Sequence, residues 1–132
     1  MTDLFITRFN VDGTQLIGST YLGGNNLDGL NISNLSFNYG DQYRGEILLQ
    51  ENTILIASHS RSSNFPTTNG TLMTGLQDGI AVKLTDDLSS IIWSTFFGGS
   101  GEETGNSIAL STDGNLYIAG GTSSNNFHFS GH

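Results

Sequence analysis

The stretch "DLFITRFNVDGTQLIGSTYLGG", residues 3–24, returns without a gap as "DGIAVKLTDDLSSIIWSTFFGG", residues 78–99. The displacement is 75 positions, from Asp3 to Asp78, and the chemistry agrees along its length: Arg8 falls on Lys83, Phe9 on Leu84, Leu16-Ile17 on Ile91-Ile92. A second match, "ILLQENTILIASHSRSSNF" (47–65) over "ALSTDGNLYIAGGTSSNNF" (109–127), is displaced by 62. The first copy therefore carries about 13 residues that the second lacks, within "NNLDGLNISNLSFNYGDQY" between Gly24 and Arg44. Self-similarity at this period marks a repeat architecture, in which each unit buries its faces against neighbouring copies.

The units read as β-structure. "LFITRFN" (4–10) and "QLIGSTYL" (15–22) form one hairpin, and "GIAVKLT" (79–85) and "SIIWSTFF" (90–97) form its counterpart, with turn signals at Asp12-Gly13 and Asp86-Asp87. "GEILLQ" (45–50) with "TILIASH" (53–59), and "NSIALS" (106–111) with "NLYIAGG" (115–121), form the other hairpin type, the latter around Asp113-Gly114-Asn115. No long stretch has the apolar spacing of an amphipathic helix. Four antiparallel strands per repeat, joined by Gly-rich turns, are the anatomy of a β-propeller blade. The fold class expected is all-β, about two blades' worth of a larger propeller. Residues 1–24 are the second half of a blade, 25–44 an interblade insert, 45–99 a full blade, and 100–132 the first half of the next. A β-sandwich is the rival, but it gives no reason for strand pairs to repeat in side-chain detail.

Composition narrows the partners. Four basic residues against twelve acidic ones give a net charge of −8, which repels a nucleic-acid backbone or an anionic membrane. No apolar run approaches the roughly 18 residues that a membrane span needs, and "MTDLFITRFN" lacks the regions of a signal peptide. The absence of cysteine excludes disulfides and thiolate chemistry.

The second copy, "DGIAVKLTDDLSSIIWSTFFGGSGEETGNSIALSTDGNLYIAGGTSSNNF", resembles the bacterial seven-bladed β-propeller repeat called SBBP: a D-x-hydrophobic-V-x-K-L strand, an S-T-aromatic-x-G-G strand end, a D-G-N-hydrophobic-Y turn, and a T-S-x-x-F-P-T-T tail. "SSNFPTTNGTL" (62–72) carries that tail. The longer unit, with "FNYGDQYRGEI" (37–47), is similar to versions in very large surface proteins of gliding bacteria, many of which end in a gliding-motility or type IX secretion sorting domain. The resemblance implies a secreted or cell-surface location. Where the first tail reads Asn64-Phe65-Pro66, the last reads Asn126-Phe127-His128 and stops at "FSGH". The chain is therefore expected to be an excised piece of a larger protein, or to carry a short tag-like C-terminus.

The loops "GGNNLDG" (23–29) and "GGSGEETG" (98–105) place Asp28, Glu102 and Glu103 as candidate Ca²⁺ ligands. Without regular ligand spacing, a solvated interblade turn is the preferred reading, and no other cofactor is expected. His59, His128 and His132 are too scattered for a zinc site; His59 aligns with Gly121 and is expected at a strand end. "GGSGEETG" lacks the Lys and following helix of a phosphate loop, and no G-x-S-x-G context supports a hydrolase triad. Strand aromatics such as Tyr21, Trp93, Phe96 and Tyr117 read as blade packing. Phe37, Tyr39 and Tyr43, in the insert, are not explained by packing of the common blade; they are candidate interaction residues, or cover for a sheet edge.

The expected function is that of a non-catalytic structural or adhesive module mediating protein or glycan contact. The alternatives are a lectin-like carbohydrate-binding propeller, or part of a hydrolase or lyase whose active residues lie in other blades. Open terminal half-blades should expose Phe5, Ile6, Leu116 and Tyr117, and should require cover from the remaining blades of a parent protein, another protein, or a second copy.

Overall fold

The structure, a computed structural model, describes residues 1–37 and 39–127. Its described residues form eight strands: β1 (Leu4–Phe9), β2 (Leu16–Leu22), β3 (Glu46–Gln50), β4 (Thr53–Ser60), β5 (Asp78–Thr85), β6 (Ile91–Phe97), β7 (Glu103–Leu110) and β8 (Leu116–Thr122). They make three antiparallel sheets, β1-β2, β3-β4-β5-β6 and β7-β8. This is the half-blade, whole blade and half-blade of an all-β propeller fragment, with Ile80 and Ile92 in one sheet.

The repeat extends to backbone irregularities. The β1-β2 pairing shifts register between Arg8 and Phe9, and β5-β6 shifts between Lys83 and Leu84, 75 positions on. The two turns match as well: Gly13 (φ 71°) and Leu88 (φ 63°) occupy equivalent left-handed positions. Their N–H groups donate to the carbonyls of Asn10 (3.1 Å) and Thr85 (3.0 Å). A left-handed conformation is uncommon for a bulky residue; at Leu88 the side chain is buried in the core, which offsets that cost.

One alignment needs correcting. Ala57 and Ala119 are equivalent at a displacement of 62, but their partners Glu46 and Ser107 are 61 apart. The β7-β8 turn is one residue longer than the β3-β4 turn, so Ile47 corresponds to Ile108 and Leu49 to Leu110.

The whole blade is apolar on both faces. Along β4, Ile54 and Ile56 join one layer with Ile80, Val82, Leu84 and Phe96, against which Leu4, Ile6 and Leu22 of the first half-blade pack. Leu55 and Ala57 join the opposite layer with Ile108, flanked by Trp93, Leu116 and Ile118. Burial on both faces explains why β4 and β5 read as apolar runs rather than alternating strands. It also corrects one expectation: Ile6 and Leu116 face inward, and only Phe5 and Tyr117 of that group are exposed.

Polar contacts fix the first half-blade. The Arg8 guanidinium donates to the Asp86 carboxylate at 2.6 Å and to its carbonyl at 2.9 Å. Gly18 admits the β5-β6 turn, since a Cβ there would stand 2.7 Å from the Asp87 carbonyl oxygen. The 62–72 tail covers the outer edge of β6: Thr68 N–H donates to the Ser94 carbonyl (3.0 Å), and Ser94 N–H donates to Thr68 Oγ1 (2.9 Å). Phe65 meets Phe96 with ring centroids 5.9 Å apart. An outer strand is thus shielded without another strand.

Among the described residues of 25–44 there is no strand, and a 3₁₀ turn spans Tyr39–Tyr43. Asn31 anchors the segment to the blades, its buried Oδ1 accepting from Ser33 N–H (3.0 Å) and from Gln77 Nε2 (3.0 Å). Since Ile80 is fully buried and Leu72 is exposed, Ile80→Ala should lower the unfolding free energy by about 2–5 kcal/mol. Leu72→Ser should stay within about 0.5 kcal/mol. Urea unfolding of both variants checks the difference.

Candidate functional site: the interblade latch and the open faces

Each junction between blades closes on a carboxylate. At the first, Asp28 accepts from the Ser60 hydroxyl, from Ser62 Oγ at 2.7 Å and from Gly24 N–H at 2.8 Å. At the second, Glu103 accepts from Thr122 Oγ1 at 2.6 Å, from the Ser124 hydroxyl, and from Gly99 N–H at 3.0 Å. Every partner is repeat-related, the glycines by 75 positions and the hydroxyls by 62.

The surrounding backbone repeats too. Asp28 N–H donates to the Thr2 carbonyl and Glu103 N–H to the Gln77 carbonyl, both at 2.8 Å. Asn25 N–H donates to Asn64 Oδ1 (2.8 Å) as Ser100 N–H donates to Asn126 Oδ1 (2.9 Å). Ser62 and Ser124 hydroxyls accept from Asn26 and Gly101 N–H at 2.9 and 2.7 Å. Hydroxyl and amide donors so arranged compensate a buried carboxylate for the loss of water.

The expectation of solvated turns therefore needs revision, because the Asp28 and Glu103 side chains are buried. They lie in two separate latches, and Glu102 pairs instead with Arg61 at 3.1 Å. Among the described residues no three His, Cys, Asp or Glu gather as metal ligands. The latch donors Ser60, Ser62, Thr122 and Ser124 were not singled out from sequence, although "SRSSN" (60–64) over "TSSNN" (122–126) holds the signal.

His59, the last residue but one of β4, is fully buried, with neither ring nitrogen hydrogen-bonded. Burial pushes its pKa down from 6.5 to about 4, and the Asp28 charge opposes that shift. His128 and His132 lie outside the described residues. Asp78 moves the other way: burial raises it, hydrogen bonds from Thr74 and Gly75 oppose, and the Glu103 charge adds to the rise.

Phe37 and Tyr43 are exposed, Tyr43 beside a groove shared with Phe5 and Ile47. The Tyr39 backbone lies in the 3₁₀ turn, and its side chain lies outside the described residues.

The open faces are the larger feature. Phe5 is 70% exposed where its equivalent Ile80 is 0%, and Tyr21 is 78% exposed where Phe96 is 6%. At the other end Tyr117 is 61% exposed against 2% for Leu55, and Ile47 is 52% exposed against 6% for Ile108. Two grooves result. One, of about 610 Å³, lies between β6 and β8 and includes Ala81, Trp93, Thr95 and Phe97; the other, of about 480 Å³, lies beside β3 and includes Ile47, Leu49 and Phe9.

Glu103→Ala strands three donors and should cost about 3 kcal/mol or more, whereas Glu102→Ala should cost about 0–1 kcal/mol; thermal denaturation compares them. The His59 pKa is lower folded than unfolded, so stability should fall as pH drops from 6.5 towards about 4. The loss is on the order of 3 kcal/mol. Asp78, raised in the folded state, contributes in the opposite sense, gaining stability as pH falls through its raised pKa. Melting of wild type and His59→Asn across this range should show a shallower acid loss in the variant.

A family model described as a beta-propeller repeat, SBBP, matches residues 92–128. No curated protein and no solved structure gave a match. The matched segment runs from β6 through β7 and β8 into the following tail, so Glu103 and its side-chain partners Gly99, Thr122 and Ser124 lie inside it. Over these residues the chain is similar to the SBBP β-propeller repeat.

Proposed function

We propose that the chain is a non-catalytic structural and adhesive propeller module of a secreted or cell-surface bacterial protein. The observation that carries this reading is how its polar groups are used. The Asp28 and Glu103 carboxylates bind Ser and Thr hydroxyls of their own blade together with the Gly24 and Gly99 N–H groups that follow the preceding blade, and their own N–H groups bond the Thr2 and Gln77 carbonyls. The groups that chemistry would require thus serve to hold blades together, while aromatic and aliphatic side chains face outward. Phe37 and Tyr43, on a segment confined to one junction, supply a contact surface for protein or glycan. The resemblance to surface proteins of gliding bacteria, with type IX secretion as export route, agrees with that role.

A lectin-like reading is the second possibility, favoured by exposed Tyr43 beside an apolar groove. Incubation with a panel of cell-wall polysaccharides, followed by affinity electrophoresis and product chromatography, tests both. Retention without shortened products is expected, with binding at least about fivefold weaker in Phe37→Ala/Tyr43→Ala at unchanged melting temperature. Polysaccharide cleavage by the purified chain would overturn the non-catalytic reading.

A further inference from the structure

We propose that this chain assembles head to tail with further copies of itself, β8 of one copy pairing antiparallel with β1 of the next. Strands β7, β8, β1 and β2 then form one complete blade shared by two chains. The inference rests on the propeller reading above.

Among the described residues no strand pair lies ahead of β1 and none follows β8, so the open edges of the two half-blades are complementary parts of one blade. The whole blade gives the register. Ile54, Ile56, Ala57 and His59 face Leu84, Val82, Ala81 and Gly79. Carried over by the two displacements, Leu116 faces Phe9, Ile118 faces Thr7, Ala119 faces Ile6, and Gly121 faces Leu4.

The side-chain sizes fit that register. Across the whole blade one row reads His59, Gly79, Phe97; in the shared blade the equivalent row reads Gly121, Leu4, Leu22, the last two being paired already. Each row holds two bulky residues and one glycine, but the glycine has moved from the third strand to the second. A bulky residue on β8 at this row would crowd Leu4, and the chain has none there.

The grooves fit as well. In the whole blade Ile80, Leu84 and Phe96 pack towards the preceding half-blade. The equivalents of Ile80 and Phe96, Phe5 and Tyr21, would enter the groove of about 610 Å³, against Ala81, Trp93 and Phe97 of the neighbouring copy. Leu55 packs towards the following half-blade, so Tyr117 would reach Ile47 and Leu49 of the next copy, beside the groove of about 480 Å³. Both joining strands also lack the charged gatekeepers that protect lone edges: β8 carries no charge and β1 only Arg8.

The contact is heterologous, so closure gives a ring. Each copy contributes two blades, and propellers of about four to eight blades permit two, three or four copies. With a net charge of −8 per chain, added salt should strengthen association by screening repulsion.

Sedimentation equilibrium of the wild-type chain at micromolar concentration should return two, three or four times 14.1 kDa. Phe5→Asp and Tyr117→Asp alter exposed positions at opposite ends, and each should weaken association about a hundredfold or more. An equimolar mixture should nevertheless dimerise, because the β8 end of the first variant and the β1 end of the second are intact. A wild-type monomer, a series lengthening with concentration, or a mixture that stays monomeric would overturn the proposal. Should either variant fail to fold by circular dichroism, Thr7→Cys and Ile118→Cys chains provide the same test. Disulfide dimers confined to their mixture support the register, and equal cross-linking of each chain alone overturns it. A monomeric result leaves the scaffold reading to the polysaccharide experiment.

Discussion

A four-stranded sheet with apolar side chains on both faces needs cover on two sides, and it cannot supply either. In this chain β4 and β5 are buried on both faces, with Ile54 and Ile56 looking one way and Leu55 and Ala57 the other. The half-blades exist to meet that need. The same demand falls on the half-blades, whose outward faces carry Phe5, Tyr21 and Tyr117 in positions that the whole blade keeps dry. Burying one such side chain is worth roughly 1.5–3 kcal/mol, so covering these outward faces would be strongly favourable.

Apolar layers alone would let blades slide, because the hydrophobic effect is not directional. The latch supplies direction. One carboxylate gathers donors from the strand end before it and from the link after the second strand of its blade, and a neighbouring backbone carbonyl accepts its N–H. Asp28 and Glu103 differ by a methylene yet hold equivalent partners, so the acceptor position rather than the residue type is retained.

Much of this was legible in the sequence. The ungapped match of residues 3–24 to 78–99 located four strands and both turns, but not the left-handed conformation that Leu88 shares with Gly13, which no composition argument would assign to leucine. The β3 register was not legible, since the gap-free match lays "ILLQ" (47–50) over "ALST" (109–112) and so hides one extra turn residue, whereas the pairing lays it over "IALS" (108–111). Nor was the latch: acidic residues in Gly-rich loops read as solvated or metal-binding until the hydroxyls that face them, more than 20 positions away for Ser124, are placed. Which face of a terminal strand is inward was equally hidden, because Phe5 and Ile6 are both apolar and only packing separates them.

The central claim is that half-blades and whole blade form one cooperative body joined by the latches. Native-state amide hydrogen exchange tests it most directly. The account predicts that the N–H groups of Gly24, Gly99, Asp28 and Glu103 exchange with protection comparable to the paired amides of β4 and β5. Protection confined to β3–β6, with the latch amides and both terminal hairpins exchanging freely, would contradict it.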